Sequence, residues 1–185
     1  MPKTSKSTTS KAPSTKAPST STKPTPSPSK PSTATPTFPA ATDTELAALD
    51  SLAKEGTWSV GGNELKLTNL DKPLFEPRPG IDDGADEPTP ITKRELIRYF
   101  ARIAPTMLPH LHDRPLNLQR FPNGAGSPGF WQKNLPDTSP RWLTRWHETG
   151  VDGREDRTAN DHLLADGVGA LCWLGNQASF EIHAW

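Results

Sequence analysis

The chain has 185 residues, 32% of them hydrophobic, and its 21 Lys and Arg balance 21 Asp and Glu. That length suits one domain, and with no apolar run for a membrane span or signal peptide and no Arg-rich transit pattern, an intracellular protein without a membrane segment is expected, cytoplasmic or nucleoid-associated if bacterial. The neutral total conceals a split: Lys3, Lys6, Lys11, Lys16, Lys23 and Lys30 give residues 1–41 six positive charges and no acid, leaving 15 basic and 21 acidic residues beyond them.

Ser, Thr, Pro and Lys fill nearly every position of residues 1–41, and Phe38 is the only aromatic there. Such a segment buries too little apolar surface to offset its chain entropy, so a disordered basic tail is expected. KAPST at 11–15 recurs at 16–20, a repeat too short to stack. A cationic tail on an acidic body fits either a phosphate-bearing partner with salt-dependent affinity or a solubilising linker.

Residues 42–56 read as a short helix and linker. Leu46, Leu49 and Leu52 share one face, Thr42 or Asp43 caps the start and Gly56 stops it. The helix is either packed on the body or loosely attached to it. Val60-Gly61-Gly62-Asn63 then predicts a hairpin turn, and Leu65 and Leu67 alternate with Glu64, Lys66 and Thr68 within a strand region at about 57–69. Lys72 and Pro73 follow in LTNLDKPLF. Residues 76–90 form an acidic loop in which Asp82, Asp83, Asp86 and Glu87 suggest flexible solvated charge far more than a metal site.

Thr92 with Glu95 makes a capping box, and Leu96, Phe100, Ile103 and Met107 recur at helical spacing, predicting a helix from 93 that kinks or breaks near Ala104 because Pro105 has no N–H to donate. Lys93 lies in the first turn, where free amides and the helix dipole favour an anion. His110, His112 and Asp113 offer an H-x-H pair with no further ligand set, which fits a cap or turn better than zinc.

Residues 114–133, RPLNLQRFPNGAGSPGFWQK, read as a strand at 114–121, a Gly- and Pro-rich loop and a second strand at 129–133. Phe130 and Trp131 are adjacent, so they point to opposite faces: either at least one ring is core, or the pair with Lys133 and Arg120 offers stacking surface and charge to a nucleotide. Trp142 and Trp146 stand four apart, as on a short helix; residues 152–160 read as a charged surface loop continuing into Asp161-His162. Asp166 is expected to cap a helix over 167–177 that buries the single cysteine, Cys172, and residues 180–185 alternate as a strand with Phe180, Ile182 and Ala184 on one face.

LTNLDKPLF, RPLNLQRFPNGAGSPGFWQK and ALCWLGNQASFEIHAW, in that order from about Val60 to Trp185, resemble the polymerase domain of bacterial ligase D, a branch of the archaeo-eukaryotic primase superfamily used in non-homologous end joining. The resemblance covers only the front part of that domain. It implies that Lys72 and Lys93 grip the 5′-phosphate at a DNA gap or break, that Phe130 and Trp131 abut template or unpaired bases with Arg120 beside them, and that His183, in the E-[IV]-H signature, contacts the nucleoside triphosphate. Gln119 stands where many relatives carry a second basic residue, and the acidic loop is longer than the family's usual connection.

The same resemblance implies a D-x-D metal site for Mn2+ or Mg2+ shortly after the E-[IV]-H strand. The chain stops at Trp185, before it, so no metal ligands or cofactor are expected within these residues. Three readings follow: a member or fragment of the ligase D polymerase family, which adds nucleotides at gaps and breaks; a non-catalytic binder of 5′-phosphorylated ends; or an inactive, unstable remnant. Ku and a DNA ligase are the implied protein partners. The expected fold is α+β, with residues 57–185 forming the amino-terminal portion of a primase-polymerase domain: a mixed sheet with packed helices.

Overall fold

The computed structural model describes residues 36–77, 89–148 and 160–185. The basic tail before residue 36, the acidic loop holding Asp82 to Glu87 and the charged stretch before Asn160 lie outside the described residues.

Ordered structure begins before the expected boundary at residue 42: Phe38 and Ala41 are buried. Helix α1 (Asp43–Ser51) starts at a reciprocal capping box, in which the Glu45 amide donates to Thr42 Oγ1 and the Thr42 amide to the Glu45 carboxylate. Leu46 and Leu49 enter the core, and Trp58 Nε1 donates to the Glu45 carbonyl at 2.7 Å, so the helix is docked on the body. Strands β1 (Gly56–Val60) and β2 (Asn63–Leu67) form the expected hairpin, burying Trp58, Val60, Leu65 and Leu67. Short β3 (Pro73–Phe75) and β4 (Ile91–Thr92) pair antiparallel and deliver the chain into α2 (Lys93–Leu111).

A kink or break was expected near Ala104; helix α2 runs through both Pro105 and Pro109 without interruption. A proline at 105 deprives the Ala101 carbonyl of its intrahelical donor, and the Ala41 amide supplies one instead at 3.0 Å. Both prolines are on the exposed side, so their rings meet solvent rather than the core. The lost helical bond thus becomes an attachment point for the segment before α1.

Strand β5 (Pro115–Arg120) is the centre of the main sheet. It pairs with β6 (Phe130–Gln132) and β8 (Asp161–Leu164) along one edge and with β9 (Ser179–Ala184) along the other, while β7 (Thr144–His147) extends the sheet beyond β8. Every pairing among the described residues is antiparallel, where a mixed sheet was expected; β8 and β9 do share a direction but are held apart by β5. Trp146 therefore sits on a strand rather than one turn of helix from Trp142, because its partner is His162 across the β7–β8 ladder. Helix α3 (Val168–Asn176) has Gly167 as N-cap with no side-chain bond; Asp166, the expected cap, instead accepts from the Thr144 hydroxyl. All of α3 is buried, Cys172 included, and it lies against α2 so closely that a Cβ on Gly175 would stand 3.0 Å from Ile97 Cγ1.

Candidate nucleic-acid interface

Two groups of side chains, one cationic and one aromatic, are brought together by the loop at 121–129. The loop is fastened to β3: the Ala125 amide donates to the Leu74 carbonyl at 2.7 Å, and Gly124, at φ +88°, approaches so near that a Cβ would stand 3.0 Å from that oxygen. Only glycine combines this left-handed backbone with this contact at no cost. Phe121 stacks on Phe180 at 4.5 Å, and Phe180 in turn meets Phe75 at 4.7 Å, so an aromatic row ties loop, β9 and β3. Asn123, at the loop's tip, accepts from Lys72 Nζ at 3.0 Å.

Lys72 is half-buried, and Lys93 is only 7% exposed, its Nζ donating to the Thr68 carbonyl at 2.9 Å. Burial, together with the nearby positive charges of Lys72 and Arg120, pushes the Lys93 ammonium down to about 8. The structure thus gathers the two lysines singled out from sequence. It changes one element of that reading: the first amides of α2 are not free for an anion. The Lys93 amide donates to the Lys72 carbonyl and the Arg94 amide to the Leu70 carbonyl, both at 2.9 Å, and Thr92 Oγ1 faces the Glu95 amide. Any anion here meets lysine side chains rather than the helix terminus.

Phe130 and Trp131 are 47% and 54% exposed, so neither ring is core. Adjacent strand residues do point to opposite faces, but β6 is a three-residue strand at the sheet's edge, so both of its faces reach solvent at these positions. Arg120 is turned inward. Its Nε donates to the Gln177 carbonyl at 3.0 Å, one terminal nitrogen to Gln132 Oε1 at 2.7 Å, and its guanidinium lies 5.3 Å from the Phe130 ring centroid. Two of the three guanidinium nitrogens of this residue, expected to reach DNA, are thereby bonded to protein groups beside the Phe130 ring. Burial lowers its pKa, yet a guanidinium keeps its proton throughout the working range.

His183 is exposed on β9, opposite Asn117 of β5, with its ring 4.8 Å from that of Trp131. The same face carries a cluster that sequence reading missed: His162, fully buried, lies 5.7 Å from Trp146 and 5.0 Å from Trp185, with Nε2 at 3.6 Å from the Glu148 carboxylate. Hydrogen bonds from Asn160 head the causes that hold Glu148 below the usual carboxylate range. The signal was the alternation of Asp161-His162-Leu163-Leu164 against Thr144-Arg145-Trp146-His147, legible only once the two were known to pair. His112, by contrast, ends α2 as its C-cap, facing Asp113 and Phe38. Among the described residues no group of three or more His, Cys, Asp or Glu is placed to hold a metal ion. The described residues therefore do not supply the Mn2+ or Mg2+ site that the resemblance implies. Nor is any helix among them long and apolar enough to cross a membrane.

This fold, three helices with antiparallel sheets, belongs to a class with known members. Residues 92–185 match the model of the LigD primase-polymerase domain family. The chain is 33% identical over 125 residues to the multifunctional non-homologous end joining DNA repair protein LigD of Mycobacterium tuberculosis, a match covering 68% of this chain and 14% of that protein. It is 30% identical over 120 residues to the bifunctional LigD of Bacillus subtilis, covering 65% and 16%. A solved structure, the polymerase domain of Mycobacterium tuberculosis ligase D in complex with DNA, superposes with a TM-score of 0.53 at 31% identity, over 65% of this chain and 36% of that one. The chain belongs to the LigD primase-polymerase domain family, and it spans about one seventh of the length of the curated relatives it matches.

Proposed function

We propose that the chain binds DNA at gaps or broken ends, taking a 5′-phosphate on Lys72 and Lys93 and stacking bases on Phe130 and Trp131. The observation that carries this reading is the buried ammonium of Lys93, held near Lys72 and Arg120, while neither lysine has an ion-pair partner among the described residues. Gathering like charges in a desolvated place costs folding free energy, and a phosphate dianion offsets it. Asn123 holds Lys72 toward the loop that ends in Phe130, so an anchored phosphate and a stacked base fall on one continuous stretch of protein. The solved relative, in complex with DNA, supports the same ligand class.

His183 then faces the place where a nucleoside triphosphate would lie, against Trp131, and nucleotide addition in end joining is the activity this family membership suggests. Ku and a DNA ligase are the partners implied. Fluorescence anisotropy on gapped duplexes with and without a 5′-phosphate tests the binding: a preference of about tenfold for the phosphorylated duplex, lost in Lys72→Ala, is expected from two charge-assisted contacts. Equal affinity for both duplexes overturns it. A second reading, end binding without nucleotide addition, uses the same lysines, and primer extension on the gapped duplex with nucleoside triphosphates and Mn2+ separates the two.

A further inference from the structure

We propose that Lys54 is a third cation of this phosphate site, delivered to it by α1 and the linker behind that helix, outside the segments that carry the family resemblance. The inference rests on the reading of Lys72 as a phosphate ligand. Lys54 and Lys72 line one cavity of about 320 Å3, together with Asn69 and Asp71. Lys54 is exposed, but its backbone is fixed: its carbonyl accepts from the Leu70 amide at 2.7 Å, inside the LTNLDK segment itself.

Arg94 fastens the rest of the linker. From the second position of α2 its guanidinium donates to the carbonyls of Leu49, Leu52 and Ala53 at 2.5, 2.9 and 2.7 Å and to Asp71 Oδ1 at 3.3 Å. Helix α1 has no basic residue in its last turn, so this cation from another element satisfies the carbonyl end of its dipole. The same guanidinium offsets Asp71, the single carboxylate of the cavity, which leaves Lys54 and Lys72 as its uncompensated charges. A cavity of that character takes a phosphate monoester, here the 5′ end of a DNA strand.

The test measures affinity of the full chain for a gapped duplex with and without a 5′-phosphate, for wild type, Lys54→Ala, Lys72→Ala and Arg94→Ala, with thermal melts alongside. Lys54→Ala, a surface change, is expected to keep its melting temperature and to lose about fivefold in affinity for the phosphorylated duplex alone, with a salt slope shallower by about 0.7–0.9. Arg94→Ala is expected to lose a similar factor, and adding Lys54→Ala to it to change little further. Wild-type affinity in Lys54→Ala, beside lost phosphate preference in Lys72→Ala, overturns the role of Lys54 and leaves the lysine-pair reading standing. Equal loss on both duplexes in Lys54→Ala overturns it too, as an unspecific backbone contact. Undiminished phosphate preference in Lys72→Ala overturns the reading beneath it.

Discussion

Replacing Lys93 with methionine separates what this side chain costs the fold from what it contributes to binding. Methionine keeps an unbranched apolar stem of similar length and removes the charge. A depression of the ammonium from 10.5 to about 8 corresponds to about 3 kcal/mol of unfavourable burial and like-charge repulsion, which solvent screening reduces to roughly 1–2 kcal/mol. Against that gain stands the bond to the Thr68 carbonyl, worth about 1 kcal/mol. Lys93→Met is therefore expected to equal wild type in stability at pH 7 or exceed it slightly, while losing affinity for 5′-phosphorylated DNA. The pH dependence has a definite sign. Because the folded-state value lies below the unfolded one, the unfolded chain holds more protons between about pH 8 and 10, and wild-type stability rises there relative to the variant. Urea melts of both proteins at pH 7, 8, 9 and 10 read the difference directly, other titrating groups cancelling in the comparison. A difference that stays flat across that range refutes the reasoning, since an ordinary exposed lysine gives that result.

Gly175→Ala places a Cβ 3.0 Å from Ile97 Cγ1 and 3.2 Å from Phe100 Cδ2; the overpacking cost of about 1–3 kcal/mol exceeds the helix-propensity gain of about 1 kcal/mol, so chemical denaturation is expected to show a net loss. For Glu45, burial pushes the pKa upward, but the amides of Thr42 and Gly61 and the Thr42 hydroxyl prevail and bring it below 4.5. Its contribution is complete above the unfolded-state pKa and disappears as pH falls through the folded one, so Glu45→Gln is expected to flatten stability in the acid range. Trp131→Ala is expected to cost about 1–3 kcal/mol of binding on a gap with unpaired bases and to leave the stability of the chain nearly unchanged, because the ring is exposed.

Local chemistry made much of the fold legible. The capping box at Thr92, the cap at Thr42, the Gly61-Gly62 turn and the alternation of β9 are decided within a few residues, and each formed as its residues dictate. What sequence did not show depends on partners distant in the chain. Pro105 breaks a helix only if the carbonyl it orphans, that of Ala101, stays orphaned, and the donor that rescues it lies sixty residues earlier, at Ala41. Trp142 and Trp146 have helical spacing, but Trp146 belongs to a ladder whose other strand begins at Asp161. For Phe130 and Trp131 the residues alone left core and stacking surface both open, and the choice is made by the position of β6 at the sheet's edge, where both rings are exposed.

Composition gave no sign of the packing at residues 36–41 for the same reason. Phe38 is the lone aromatic in a run of Ser, Thr, Pro and Lys, and a lone aromatic cannot build a core; it is buried nonetheless, because the end of α2 supplies His112 for it to pack on. Once that segment is attached at Ala101, α1 has a fixed start, and Arg94 fixes its end. The linker between α1 and β1 is thereby pinned at both sides, and its lysine is set beside a cavity formed by a signature more than a dozen residues downstream. A charge that reads as ordinary solvated surface becomes a candidate ligand only through these two attachments. For that reason, Arg94→Ala, which frees the linker after α1 and leaves Asp71 unopposed, is expected to lower phosphate preference with Lys54 itself still present: the lysine acts only where the linker is fixed and the cavity's carboxylate is offset.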